Sequence, residues 1–425
     1  MPNAPKRSRA GRPAPAGSFF RGPVALWFTL GLLCRLVVFT GPHAEGDEIV
    51  YRTLVYQLET GHGYNLIGSP IIGPNWPADQ YGNALFFHPP GGIGLFWLLH
   101  LVVGDAAFPV VQILCYALFF WSMLALARVV LAPFEGLKLH MVAALTAFTP
   151  IMAQVMSRYW LDGPLLAVTT LAAVLFIAAL ARRDTRAVVV AALVMGGASW
   201  IKTAALVAVP GMLLLAWALA RPGSEPATLR LGFIFVAVAA AVQLPWELWQ
   251  WSAVGSPFPA WAGRPSPVLV ANNAYVHSLT VDRPAWMYLT LMPRALWTLV
   301  PSLACLATPR FDPRARRIAL SLLGWIAVVL AAVIGLGAIG YSKLLRYAIL
   351  ITPATVLLFG LAAGEAWSRL ADPRLTPGEK SRARLLVGFA AVGLALEIAQ
   401  GVYTPLFDRT DDLIKPVLWP DSWFF

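Results

Sequence analysis

Apolar runs separated by short polar turns repeat along almost the whole chain. Runs of roughly 18 residues or more are the signature of membrane-spanning helices. They predict spans over about 23–40, 106–131, 139–157, 163–181, 187–201, 203–220, 231–253, 287–308, 318–340, 347–366 and 385–403, eleven in all. Two stretches break the rhythm. Residues 41–87 are polar and rich in Gly, Pro and Asn, and they carry GDEIVYRTLVYQLETGHGY at Gly46–Tyr64. Tyr51, Leu54, Val55 and Leu58 share one face at helical spacing, and Gly61 and Gly63 stop the pattern, which predicts a short amphipathic helix. The second stretch, 91–103, follows His88-Pro89-Pro90 and is apolar for about 13 residues with His100 inside, a length read as interfacial or re-entrant rather than spanning. The predicted fold is all-α and polytopic. It comprises a disordered basic arm over 1–22 and one transmembrane domain over 23–425, whose first loop, 41–105, holds interfacial helices.

Composition supports this pattern. The chain is 58% hydrophobic and 12% charged, with mean hydropathy +0.68, and no polar stretch is long enough for a separate soluble domain. The net charge of +11 does not point to nucleic acid, because the basic residues sit in short clusters between apolar segments. Cys34, Cys115 and Cys305 each lie inside an apolar run, so they form no disulfide framework and no metal motif. A cleaved signal peptide is the rival reading of 23–40. That run is long for such a segment, and cleavage would leave the Asp47 helix without its anchor. Arg35 inside it is costly against lipid and is expected to face protein, water or an anion.

Lys and Arg counts choose the topology. With 91–103 kept out of the membrane and the N-terminus cytoplasmic, 21 fall on the cytoplasmic side and 10 on the outer side, Arg35 completing the 32. If 91–103 spanned, the ratio would become 14 to 17, against the positive-inside rule. The first arrangement places Asp47, Glu48, His88, Arg158, Asp162, Lys202, Lys343 and Arg346 on the outer face of the cytoplasmic membrane.

Each of these has a structural alternative. Asp47 and Glu48 could serve only to start a helix, through the helix dipole. Two adjacent acids near a membrane exit, in a chain poor in acids, favour chemistry. Asp162 in SRYWLDGP could be an N-cap with Arg158 as partner. Lys202 in SWIKTAA could snorkel to the surface. Lys343 and Arg346 in YSKLLRY, at i, i+3, add cations to the outer face, where lipid headgroups or a phosphorylated substrate would balance them. A lone His88 is usually structural. There is no P-loop, no G-x-G-x-x-G after a strand, and no H-E-x-x-H or C-x-x-C metal motif.

GDEIVY, HPPG, LDGPLL, ASWIKTAALVAVPG, QLPWELW with GSPF, and KLLRYAILITP occur in this order over most of the chain. The ordered set resembles the GT-C superfamily of integral-membrane glycosyltransferases, especially the protein O-mannosyltransferase and lipid A aminoarabinose transferase branch. The resemblance implies inverting transfer of a sugar from a polyprenyl-phosphate donor to an envelope acceptor, at a site facing away from the cytoplasm. It implies Asp47 as base, with Asp162 and Glu48 as further catalytic carboxylates. Lys202, Arg346, Lys343 and Arg158 would hold the donor phosphate, with His88 and Tyr347 positioning substrate. No cofactor follows from the motifs. The branch's metal-binding acid is not carried over at His88, although a divalent metal stays compatible with the family. The alternatives are a flippase for lipid-linked glycans and a non-catalytic assembly partner.

Overall fold

The computed structural model describes residues 22–41, 47–66, 88–220, 223–254, 284–338 and 344–407, and no strand occurs among them. Lys343, the basic arm over 1–21 and the late loop over 255–283 lie outside the described residues. The helices, in order, are α1 (Pro23–Phe39), α2 (Asp47–Glu59), α3 (Gly91–Val103), α4 (Ala107–Val130), α5 (Gly136–Phe148), α6 (Pro150–Val155), α7 (Asp162–Arg182), α8 (Thr185–Ile201), α9 (Val209–Leu219), α10 (Glu225–Val254), α11 (Met287–Ala295), α12 (Leu299–Cys305), α13 (Pro313–Ala338), α14 (Thr352–Leu370) and α15 (Pro377–Phe407). Short 3₁₀ segments, Thr203–Ala208 and Leu345–Ile351, precede α9 and α14.

Among the described residues, six segments are long and apolar enough to cross a membrane: Gly91–Val130, Asp162–Arg182, Glu225–Ser252, Pro313–Ala338, Leu345–Leu370 and Pro377–Leu406. Val24–Phe39, Gly136–Phe148, Thr185–Ile201 and Thr203–Leu219 are shorter apolar helices. These coincide with nine of the eleven expected spans, and the other two are divided. The expected span 287–308 is divided into α11 and α12. Pro301 has no N–H and its ring clashes with the carbonyl four residues back, at Trp297, which is where the helix parts. Glu397 of α15 fills the gap, accepting hydrogen bonds from the Thr298 N–H at 2.9 Å and the Thr298 hydroxyl at 3.0 Å. The expected span 139–157 is likewise divided at Thr149, whose ψ of 124° reflects the steric bar on helix before Pro150.

Gly91–Val130 is not one straight rod. Phe96 and Phe108 stack with ring centroids 5.0 Å apart, whereas twelve residues of continuous helix would part them by about 18 Å. Gly104, at φ +59°, makes the turn that folds α3 back on α4. Arg52 of α2 meets Asp105 at 3.2 Å, and His100 of α3 meets Glu59 at 3.3 Å. Helices α2 and α3 therefore pack together, and α3 packs in turn on α4 and α8. Arg35 faces protein. Its guanidinium donates to the Gly31 carbonyl at 2.7 Å and lies 3.9 Å from the Tyr116 ring centroid.

Helix α15 lies so close to α5 that a Cβ on Gly401 would fall inside the contact radius of the Phe148 carbonyl oxygen. Backbone cannot give way as a side chain does. Gly401→Val is expected to destabilise the protein by about 3 kcal/mol or abolish folding. Gly388→Val, on the same helix with nothing within 4 Å, should cost little. Thermal unfolding of both in detergent checks the difference.

Candidate active site

Four charged side chains from four distant parts of the chain meet at the end of the bundle that α2 covers. Asp47 opens α2, in the first turn where the helix dipole favours a carboxylate. Asp162 opens α7 in the same way, one residue inside the helix rather than at the N-cap, which is Leu161. Lys202 caps the end of α8 in an extended conformation, φ −153° and ψ 125°. This break turns its side chain back across α7. Arg346 lies in the 3₁₀ segment after the extended Leu344.

The four form a continuous chain. Arg346 Nη2 is 2.6 Å from Asp47 Oδ2, and its Nη1 is 3.8 Å from Asp162 Oδ2. Lys202 Nζ donates to both oxygens of Asp162, at 2.9 and 3.1 Å. Three members are sealed in: the side chains of Asp162, Lys202 and Arg346 are 2%, 6% and 4% exposed. The Asp47 side chain is 33% exposed. Burial alone would raise the Asp47 carboxyl, but the charges of Arg346 and then Lys202 oppose it and hold the group below its ordinary value.

Aromatic side chains line this cluster. The Arg346 guanidinium stacks over Trp160 at 4.2 Å and lies 5.7 Å from Tyr347. Lys202 Nζ is also 5.7 Å from the Tyr347 ring. The Tyr51 hydroxyl donates to Asp47 Oδ2 at 3.3 Å. Burial, then Asp47, pushes that phenol well above its ordinary value, so it stays a donor. The His88 ring lies 6.1 Å from Tyr51. Burial, followed by the Lys202 charge, holds His88 well below its ordinary value, and the imidazole is neutral near pH 7. Its backbone carbonyl accepts from the Tyr64 hydroxyl at 3.0 Å.

The structure thus gathers Asp47, Asp162, Lys202, Arg346, Tyr347 and His88, as the sequence led one to expect. Glu48, expected as a second acid beside Asp47, turns the other way, because successive helical residues point about 100° apart. It is fully buried, and its Oε1 accepts the Tyr159 backbone N–H at 2.9 Å, pinning α2 to the segment before α7. Arg158, expected at the donor phosphate with pairing to Asp162 as its structural alternative, lies buried with its guanidinium 6.0 Å from Trp160, while Lys202 takes the Asp162 carboxylate. Sequence reasoning missed two members. Tyr51 counted only as an apolar face residue, although it stands four positions after Asp47, the spacing at which helical side chains meet. Trp160 carried no signal beyond its place between Arg158 and Asp162.

Removing one partner of a buried ion pair leaves an uncompensated charge. Lys202→Met should therefore destabilise the protein by about 3–5 kcal/mol. Adding Asp162→Asn to that variant should return much of the loss, and thermal unfolding of the four forms of this double-mutant cycle checks it.

Comparison with known proteins follows the same lines. Residues 87–249 match the family model described as dolichyl-phosphate-mannose-protein mannosyltransferase. No curated protein matches the chain in sequence. Among solved structures, ArnT from Cupriavidus metallidurans in the apo state superposes with TM-score 0.55 at 20% identity, over 94% of this chain and 67% of that one. The archaeal oligosaccharyltransferase AglB from Archaeoglobus fulgidus, solved with an inhibitory peptide and a dolichol-phosphate, gives TM-score 0.56 at 14% identity, over 91% of this chain and 56% of that one. This chain thus spans two thirds or less of the length of those proteins. In fold, the chain is similar to these two integral-membrane proteins.

Proposed function

We propose that the chain transfers a sugar from a polyprenyl-phosphate donor to a hydroxyl of an envelope acceptor, at the outer face of the cytoplasmic membrane. One observation carries this reading: two carboxylates and two cations, linked from Asp47 through Arg346 and Asp162 to Lys202, meet beneath an amphipathic helix. The cations suit a phosphate and the exposed carboxylate suits a proton. The outer side is supported by the excess of Lys and Arg on the other side. The mannosyltransferase match and a dolichol-phosphate in AglB support a lipid-linked donor.

In this reading Asp47 accepts the proton of the acceptor hydroxyl while that oxygen bonds to the anomeric carbon. The anomeric carbon–oxygen bond to phosphate breaks in the same displacement, inverting the centre, and its electron pair leaves with polyprenyl phosphate. Arg346 and Lys202 neutralise the charge growing on that phosphate. Asp162 holds Lys202 in position, and Glu48 anchors α2 rather than reacting. Tyr51, Tyr347 and neutral His88 shape the donor side, and Arg158 adds positive charge nearby.

The pairing seen here also gives an order of events. The four charges balance, so an incoming phosphate must compete with carboxylates for Arg346. Drawing Arg346 toward phosphate releases Asp47 from the charge that depresses it, and its basicity rises when the donor is bound.

Asp47→Asn should lower transfer about 100-fold or more in membranes supplied with polyprenyl-phosphate sugar. Wild-type turnover by that variant would remove Asp47 as base, and mass spectrometry of the product distinguishes transfer from movement of intact lipid. The pH profile tests the order of events. A depressed carboxyl is ionised above its ordinary value of about 3.9 and loses its contribution only as pH falls through the lowered value. The acid limb of kcat/KM, which reports free enzyme, should therefore lie below about pH 4, and that of kcat, which reports the donor complex, should lie higher.

A further inference from the structure

The motif QLPWELWQ is not used by the chemistry above, yet its side chains are placed unusually. Helix α10 presents Leu244, Leu248 and Trp251 outward. Gln243, Trp246, Glu247 and Gln250, at i, i+3, i+4 and i+7, are buried on its inner face. The polar residues of this span thus face protein, the arrangement that marks a substrate path through a membrane protein.

The stripe adjoins the active site. Gln243 Nε2 donates to Thr203 Oγ1 at 3.3 Å, and Thr203 follows Lys202. The same nitrogen donates to Glu247 Oε1 at 2.7 Å. The Trp246 ring lies 6.4 Å from Trp200, two residues before Lys202, and 4.9 Å from Trp249. Among the described residues, Glu247 Oε2, Gln243 Oε1 and the Trp246 indole N–H have no hydrogen-bond partner. Burying three such atoms is costly, a carboxylate oxygen most of all, and the cost is recovered when a ligand supplies the missing groups.

We propose that Gln243, Trp246 and Glu247 form a subsite that reads the hydroxyls of a sugar ring. The cluster has two acceptor oxygens and one donor N–H available, beside indole faces that suit the C–H face of a pyranose. It holds a carboxylate and no cation of its own, so it disfavours phosphate and complements the Arg346–Lys202 end. A site built to bond a hydroxyl discriminates strongly against the analogue that lacks it. This subsite therefore selects the sugar, while the cations accept any polyprenyl phosphate. The inference rests on the proposed glycosyl transfer, but its test is separate.

Purified protein in detergent is titrated with undecaprenyl phosphate, bare or bearing mannose, glucose, galactose, arabinose or 4-amino-arabinose, and with the free methyl glycosides. Wild type is expected to bind at least one sugar-bearing lipid tenfold or more tighter than the bare lipid. Glu247→Gln and Gln243→Ala, checked by thermal unfolding, should bring that ratio toward one while leaving affinity for bare lipid unchanged. A tenfold loss confined to a methyl glycoside also supports the subsite and assigns it to the acceptor sugar. Equal binding of all lipids by wild type with no glycoside bound, or a wild-type ratio kept in both variants, overturns it. Bare-lipid affinity that ignores Lys202→Ala and Arg346→Ala would instead count against the proposed function.

Discussion

Charge inside a membrane protein has to be balanced where it stands. The Asp47–Arg346–Asp162–Lys202 chain meets that constraint with two positive and two negative groups, three of them nearly closed to solvent. At a separation of about 4 Å and an effective dielectric near 20, each opposite pair attracts by roughly 4 kcal/mol. Desolvation takes most of that back. The cluster is therefore a poor stabiliser and a good positioning device. Each member is held only if its partners are present, so four chain segments must arrive together.

The helix ends explain how they arrive. Asp47 and Asp162 begin helices, Lys202 caps one, and Arg346 lies in the 3₁₀ turn leading into another. A charged group in mid-span would have to be buried among apolar neighbours, as Arg35 is, with carbonyls and a ring as company. At an end, extended residues such as Lys202 and Leu344 free the side chains to turn inward. Glu48 then fixes the covering helix by bonding the Tyr159 N–H, which ties α2 to the turn that delivers Asp162. The first loop is thus part of the site's wall.

Much of this was legible in the chain because the signals are long or concentrated. Apolar runs marked nine of the eleven expected spans as undivided apolar segments, and the shortness of 91–103 marked the segment that Gly104 folds back on α4. The breaks were harder to read. Thr149-Pro150 parts a helix, and Pro301 parts another where Glu397 can fill the gap, yet Pro245 and Pro405 sit inside continuous helices. A proline states what the backbone loses, and distant residues decide whether the helix survives it. Within the site, charged residues stood out because the chain has so few. Glu48 and Asp47 looked alike in sequence because nothing local tells which way each turns. Trp160 and Tyr51 were hidden because aromatics are common in such a chain; Trp160 meets Arg346, far away in sequence, and Tyr51 meets Asp47 one helical turn before it.

The two carboxylates meet different surroundings, and that difference suggests why both are needed. Asp162 is closed off and gripped by Lys202 through both oxygens. Those two bonds fix the ammonium in place beneath Arg346. Asp47 is one-third exposed, on a helix at the edge of the bundle, and bonded through a single oxygen, Oδ2, to a guanidinium that Asp162 shares. Of the pair, only Asp47 has both a path to a proton and a neighbour that another anion could draw away. Different surroundings are how one fold assigns two acids separate tasks. In the proposed reaction the carboxylate gripped by Lys202 organises the cations, and the exposed one is left for chemistry.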